Sequence, residues 1–178
     1  MSHRIWAQHY NPETKEEIGE LEYKNLSNML TEVANRYADK VGFSQIMPNG
    51  MHASLTYQQA DQLSDAFACY LREKLHLQTG DRVAVQLPNC LSYAIVVLGI
   101  IKAGGVLVNT NPLYKAEEMT HQFDDAGAKI LVIIDMFTDV LPEVIPKTKI
   151  EHIITVRIDQ FFSHFHRGLI RFVQKYLK

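Results

Sequence analysis

LPNCLSYAIVVLGIIKAGGVLVNTNPLY, residues Leu87–Tyr114, is the most apolar stretch of the chain, and its reading decides the fold. A membrane-spanning helix needs ~20 mostly apolar residues. Ala94 to Ile101 supplies eight before Lys102 interrupts. Gly104-Gly105 then ends the helix, since glycine takes the left-handed conformation that follows a helix C-terminus. Val106-Leu107-Val108 resumes as a short strand. Pro88-Asn89 makes a turn before the helix, and Val83 to Leu87 before that reads as a buried strand. Strand, turn, buried helix, Gly-Gly and strand make a βαβ unit. Such a unit demands a parallel sheet with helices on its faces.

The alternation continues in both directions. Leu26, Leu30, Val33, Ala34 and Tyr37 recur at helical spacing, which predicts an amphipathic helix from Ser27 to Asp39. Val41–Ile46 and Met51–Tyr57 flank Pro48-Asn49-Gly50, a hairpin signal. Thr56 with Gln59 forms a capping box that opens a helix to about Leu75, with Ala60, Leu63, Phe67, Tyr70 and Leu71 as its expected inner face. Gln78 to Asp81 is the turn into the next strand. Downstream, Glu117 to Asp125 is a helix with acids in its first turn, ended by Gly127. Lys129–Asp135 is a buried strand, Val140–Ile145 a short helical connection broken by Pro142 and Pro146, and His152–Val156 a further strand. The expected fold class is therefore α/β, built of βαβ units around a mostly parallel sheet.

Composition removes several function classes. The chain has 178 residues, 47% hydrophobic and 21% charged, which suits one ordinary domain or part of a larger one. A net charge of -2 gives no case for a nucleic-acid partner. Cys69 and Cys90 form no disulfide framework, which points to a reducing cytoplasm, and both are expected to be buried, inert thiols. The polar start, MSHRIWAQHYNPETKEEIGE, predicts no secretory leader.

The tail, residues 165–178, differs from the rest. Phe165, Leu169, Phe172, Val173 and Tyr176 fall on one helical face, and Arg167, Arg171, Lys175 and Lys178 on another. A basic amphipathic helix can lie in a membrane interface, so these four basic residues are candidate membrane-surface contacts. The plainer reading is a surface helix of a globular fold.

Few residues carry recognisable chemistry. No GxxxxGK[ST] or GxGxxG loop is present to cradle a phosphate. His164 and His166 have metal-ligand spacing without a third ligand nearby, so they read as surface histidines. Glu117-Glu118 and Asp124-Asp125 are neighbours in sequence, and adjacent helical residues do not converge on one face. Ser92 reads as a helix N-cap, because no GxSxG elbow surrounds it. From the residues alone, no catalytic, cofactor-binding or metal-binding residue is assigned.

The opening stretch nevertheless resembles a known family. GDRVA (Gly80–Ala84), LPN (Leu87–Asn89), KAG (Lys102–Gly104) and NPLY (Asn111–Tyr114) follow one another as in the early region of adenylate-forming acyl-CoA ligases. LTY (Leu55–Tyr57) with its helix, and DDAGA (Asp124–Ala128), match further family features in order. IWAQHY, ANRYADK and the basic tail look more particularly like bacterial long-chain fatty-acid–CoA ligases, over essentially residues 1–178. The resemblance implies the N-terminal, incomplete part of the large AMP-binding domain. It implies, for the full enzyme, ATP, Mg2+, coenzyme A and a fatty acid as reactants. The family's Ser/Thr/Gly-rich phosphate loop, ribose-contacting acid, hinge and C-terminal lysine have no counterpart here. The chain alone is therefore expected to bind none of these reactants and to be inactive. Lys115 stands where the family usually has a capping Thr. The expected setting is cytoplasmic, with peripheral contact at the inner membrane face and self-association through an exposed apolar face. The alternatives are a non-catalytic membrane-surface or partner-binding module, and another adenylate-forming acid ligase.

Overall fold

The computed structural model describes residues 5–14 and 19–176. Six strands and six α-helices alternate along it. They are α1 (Leu26–Arg36), β1 (Val41–Ile46), β2 (His52–Thr56), α2 (Tyr57–Glu73), β3 (Arg82–Gln86), α3 (Leu91–Lys102), β4 (Val106–Asn109), α4 (Ala116–Ala126), β5 (Ile130–Ile134), α5 (Leu141–Val144), β6 (His152–Val156) and α6 (His164–Tyr176). β1 and β2 form the antiparallel hairpin that Asn49-Gly50 predicts. The other four strands form one sheet in the order β4-β3-β5-β6, with every pair parallel. The sequence-based α/β reading holds.

The sheet separates two apolar layers because successive strand side chains point to opposite faces. Val83, Val85 and Leu87 with Ile130, Val132 and Ile134 face α2 and α3. Ala84, Leu131 and Ile133 face α4 and α5, where Met119, Phe123 and Val144 complete the layer. β5 lies between β3 and β6 and is buried at every position, as a central strand covered on both faces must be. A third cluster seats the hairpin on α3 through Ala53, Leu55, Leu91 and Ile95, and includes Phe162 and Ile170.

Helix ends follow the sequence closely. The Thr56 hydroxyl accepts from Gln59 N–H at 3.1 Å while Gln59 accepts from Thr56 N–H at 2.9 Å, completing the capping box of α2. Gly104 takes φ +78 after α3, with Gly105 N–H bonded to Ile100 O and Gly104 N–H to Ile101 O, so the last carbonyls of the buried helix are satisfied. At α4 half of a capping box forms without a Thr, since Lys115 N–H donates to Glu118 Oε2 at 3.0 Å.

Four expectations need correction. Helix α1 is capped by Asn25, whose side chain accepts from Asn28 N–H at 2.8 Å, and it ends at Arg36 rather than Asp39. Of its predicted apolar face only Ala34 is buried. The buried stripe of α2 is Ala60, Ser64, Ala68 and Leu71, while Leu63 and Tyr70 are exposed. Small residues win because α2 approaches α3 at Gly99, where a methyl group would already lie 2.9 Å from Ser64 O. Ser92 is buried in the first turn of α3, not its cap; Cys90 holds that position without a side-chain bond. The orphan Leu91 N–H instead donates to Oε1 of the buried Gln45 in β1, at 3.2 Å. Cys69 is exposed on α2 rather than buried.

Three ion pairs tie neighbouring elements. Lys102, which ends the apolar run, is itself almost buried and reaches Asp61 Oδ1 at 2.6 Å and Asp65 Oδ1 at 2.7 Å on α2. At the entrance to β3, Asp81 accepts from Lys129 at 2.9 Å and from Gln78 N–H at 2.9 Å. The Lys129 hydrogen bond, followed by that of Gln78, holds the Asp81 carboxyl below the usual carboxylate range. A depressed folded pKa stabilises the fold above the unfolded value and is lost as pH falls through the folded value. Replacing Asp81 by Asn should therefore cost at most about 1 kcal/mol near neutral pH. That difference should shrink below about pH 4, where the unfolded carboxyl begins to take up its proton. Urea unfolding of both proteins at neutral and acid pH checks this, and a difference that grows in acid would contradict it.

Candidate functional site

After β3 the chain crosses to β4 on one side of the sheet, and after α4 it returns to β5 on the other. The direction of winding thus reverses between β3 and β5. Connections leaving the carboxyl ends of those two strands diverge, and in open parallel sheets that divergence is where ligands bind. A cleft of about 720 Å³ lies there. Its walls are Leu87, Pro88 and Asn89 after β3, Asn109 at the end of β4 and Thr110 to Tyr114 after it, Met136 and Phe137 after β5, Ile158 after β6, and Tyr93 on α3.

The NPLY segment is fixed to the sheet by polar bonds. Thr110 N–H donates to Val85 O at 2.9 Å, and the Asn111 side chain accepts from Leu113 N–H at 3.0 Å. Gln86, the last residue of β3 and fully buried, donates from Nε2 to Asn111 O at 3.3 Å and to Pro112 O at 3.4 Å. Gln122 of α4 donates to Asn109 O at 3.1 Å. Two amide side chains therefore set the position of this wall. Gln86 Oε1 and, at the end of β5, Asp135 Oδ1 are buried without a partner among the described residues.

Among the described residues the cleft wall contains no Asp, Glu, His, Lys or Arg. It can present amide and phenol groups and apolar surface to a ligand, but it holds no strong acid, base or cationic anchor. A smaller cavity of about 320 Å³ between α3 and β1 is lined by Phe43, Cys90, Leu91, Val97 and their neighbours. Burial pushes the Cys90 thiol above its ordinary range, away from the thiolate that a nucleophile needs.

The candidates from sequence fall elsewhere. Glu117, Glu118, Asp124 and Asp125 are exposed on α4. His164 and His166 lie in the first turn of α6, and no group of three His, Cys, Asp or Glu that could hold a metal converges among the described residues. The described residues therefore bring together no such group for Mg2+, and no step through that ion is assigned to them. Of the basic tail residues, Lys178 lies outside the described residues and only the backbone of Lys175 is described. Arg171 Nε pairs with Asp159 Oδ2 at 2.8 Å, and Arg167 Nε lies 3.9 Å from the same oxygen. Arg157 joins from the other side at 3.5 Å, and Asp159 is buried. The membrane reading of the tail did not anticipate this internal partner. The cleft was missed as well, because strand order is not written in any local segment.

The sequence profile of the AMP-binding enzymes matches residues 30–168, which includes the whole parallel sheet and every wall of the cleft. The chain belongs to the AMP-binding enzyme family. Within the family, a long-chain-fatty-acid–CoA ligase of Escherichia coli O157:H7 is 37% identical over 175 residues, covering 98% of this chain and 30% of the relative. The chain thus spans about 30% of the length of the curated relatives it matches. Among solved AMP-binding enzymes, an anthranilate CoA ligase in complex with anthranoyl-AMP superposes with a TM-score of 0.68 at 20% identity, over 77% of this chain and 26% of that one. A long-chain-fatty-acid-CoA ligase from Archaeoglobus fulgidus does so with a TM-score of 0.64 at 22% identity, over 77% and 30%. At those identities the structural likeness establishes the fold.

Proposed function

We propose that this chain is the scaffold segment of a long-chain fatty-acid–CoA ligase. In that reaction the fatty-acid carboxylate attacks the α-phosphate of ATP, giving an acyl-adenylate and pyrophosphate. The thiol of coenzyme A then displaces AMP to give the acyl-CoA. Activation is the physical point: a carboxylate is a poor electrophile, and AMP is a good leaving group. Stabilising charge on the transferring phosphate needs cationic groups or oriented N–H donors. Mg2+ would supply part of that charge when bound to the whole enzyme.

The observation that carries this assignment of roles is a cleft wall that, among the described residues, has no Asp, Glu, His, Lys or Arg. Catalytic groups come, on this reading, from the portion of the relatives' length that this chain does not span. The 178-residue chain alone is inactive and supplies a fixed sheet edge and the NPLY wall. Fatty acids are favoured over aryl acids because the fatty-acid ligase relative aligns along 98% of the chain at 37% identity, whereas a salicyl-AMP ligase of Mycobacterium tuberculosis aligns along 64% at 30%. A reducing cytoplasmic setting suits the two unpaired cysteines. Exposed apolar side chains on the hairpin and NPLY turn, Ile46 and Leu113 among them, favour self-association of the isolated chain.

A chimera tests the reading. This chain replaces the matching segment of the Escherichia coli ligase, and acyl-CoA formation is measured with a long-chain fatty acid, ATP, Mg2+ and coenzyme A. Activity with long-chain acids is expected. A folded chimera that uses only aryl acids, or that forms no acyl-adenylate, would contradict the proposal.

A further inference from the structure

We propose that Gln86, Gln122 and Asp135 form a binding site for a monovalent cation, K+ or Na+, behind the NPLY wall. Among the described residues these three side chains each keep a buried oxygen without a hydrogen-bond partner: Gln86 Oε1, Gln122 Oε1 and Asp135 Oδ1. The fold brings them to one end of the sheet on one side. Gln86 ends β3, and Ala84 before it packs in the α4 layer, so the Gln86 side chain faces α4. Ile133 of β5 is paired with Gln86 in register and packs in the same layer. Ile134 keeps an extended backbone, so the alternation carries through and Asp135 shares the face of Ile133. Gln122 reaches the same place from α4. Its amide nitrogen donates to Asn109 O at 3.1 Å, while that of Gln86 donates to Asn111 O at 3.3 Å and Pro112 O at 3.4 Å.

The orientation of both amides is fixed by their partners. Backbone carbonyls only accept, so each amide nitrogen must stay against residues 109–112 and each Oε1 must turn away from them. Gln86 is fully buried and cannot offer its oxygen to solvent. Acceptors without a donor select the ligand, because a buried polar atom left unpaired is costly. A single water has too few protons to serve all three oxygens, and an anion would be repelled. A metal cation can take all of them, since amide and carboxylate oxygens are hard ligands. Carbonyl oxygens can replace the hydration shell of K+. The set carries one formal charge, that of Asp135, which balances a monovalent ion. Mg2+ demands near-ideal octahedral geometry and gives up its waters reluctantly. Because both glutamines also hold residues 109–112, an ion bound to their oxygens braces the cleft wall from behind. The inference does not rest on the ligase reading, since none of the three residues lines the cleft.

The test is thermal unfolding of the 178-residue chain in KCl, NaCl and choline chloride at equal ionic strength. With K+ or Na+ tenfold over its dissociation constant, the midpoint should rise by about 3–5 °C over that in choline. The salt that gives the larger rise identifies the preferred ion. Asp135→Asn keeps the shape of a half-buried side chain and removes its charge, so it should weaken the apparent affinity by roughly tenfold or more. Amide exchange at residues 109–114 should slow when the bound ion replaces choline. Crystals grown in thallium(I) acetate, whose cation stands in for K+ and scatters anomalously, should show one ion among the three oxygens. Equal midpoints in all three salts would overturn the proposal. So would an unchanged salt response in Asp135→Asn, or thallium crystals with water alone at this position. A midpoint raised by MgCl2 but by neither monovalent salt would also overturn it.

Discussion

Replacing Phe123 by alanine is expected to destabilise the fold by about 3–5 kcal/mol. Phe123 is fully buried on α4, against Ala84, Leu131 and Ile133 on the sheet and Leu141 and Val144 of α5. Among its neighbours Ala84 and Ala116 are too small to fill the space, and Met119, Leu131 and Ile133 are already fully buried in the same layer. The cavity cost therefore adds to the lost transfer energy instead of relaxing away. For a chain of this size the midpoint of thermal unfolding should fall on the order of 10 °C. Calorimetry or circular dichroism reads this directly. A fall of only a degree or two would mean that the α4 layer is not packed on the sheet as described. Because α4 follows the NPLY segment and Gln122 holds Asn109 O, the same variant should also loosen the cleft wall, seen as faster amide exchange at residues 109–114.

Replacing Gly99 by valine should cost about 1–3 kcal/mol or more, for the opposite reason. The first added carbon would stand 2.7 Å from Phe67 Cδ1 and 2.9 Å from the backbone oxygen of Ser64. The ring can turn, but the carbonyl is part of α2 and cannot move without separating the two helices. Separation would also pull Lys102 from Asp61 and Asp65, leaving a nearly buried ammonium without its partners. Valine is a better helix former than glycine, which offsets a few tenths of a kcal/mol and does not change the sign. Urea unfolding measures the loss. A variant as stable as wild type would show that α2 and α3 are not in close contact at this point.

The Gly99 contact shows where the sequence could be read and where it could not. Element ends carried local signals that need no partner: the Thr56–Gln59 box, the Asn49-Gly50 turn, Gly104 after α3 and Gly127 after α4. The αβ alternation followed from such signals in their order, whereas the family came from the resemblance carried by GDRVA, LPN, KAG and NPLY. The inner face of α2 did not, because an Ala-Ser-Ala stripe looks less apolar than the one containing Leu63 and Tyr70. Only the proximity of Gly99 makes small residues the buried ones. Two further features depend on residues far apart in the chain. Gln45 caps α3 at Leu91, 46 positions away, and Asp159 gathers arginines from both sides of a loop. The cleft depends on the placing of β5 beside β3, on the side away from β4, which no single segment encodes.

The candidate site was legible only as a resemblance. LPN and NPLY were marked by order and spacing, and the structure places them on facing walls of one cleft. Their role could not be read from residue chemistry, because among the described residues the wall carries amide, phenol and apolar side chains and no Asp, Glu, His, Lys or Arg.

The most direct test of this division of labour is ATP–pyrophosphate exchange by the purified 178-residue chain, with a long-chain fatty acid and Mg2+, on protein shown to be folded by circular dichroism. The account predicts no exchange above the rate without protein. Exchange that depends on both the fatty acid and the chain would contradict it, since the phosphate site would then lie within these residues.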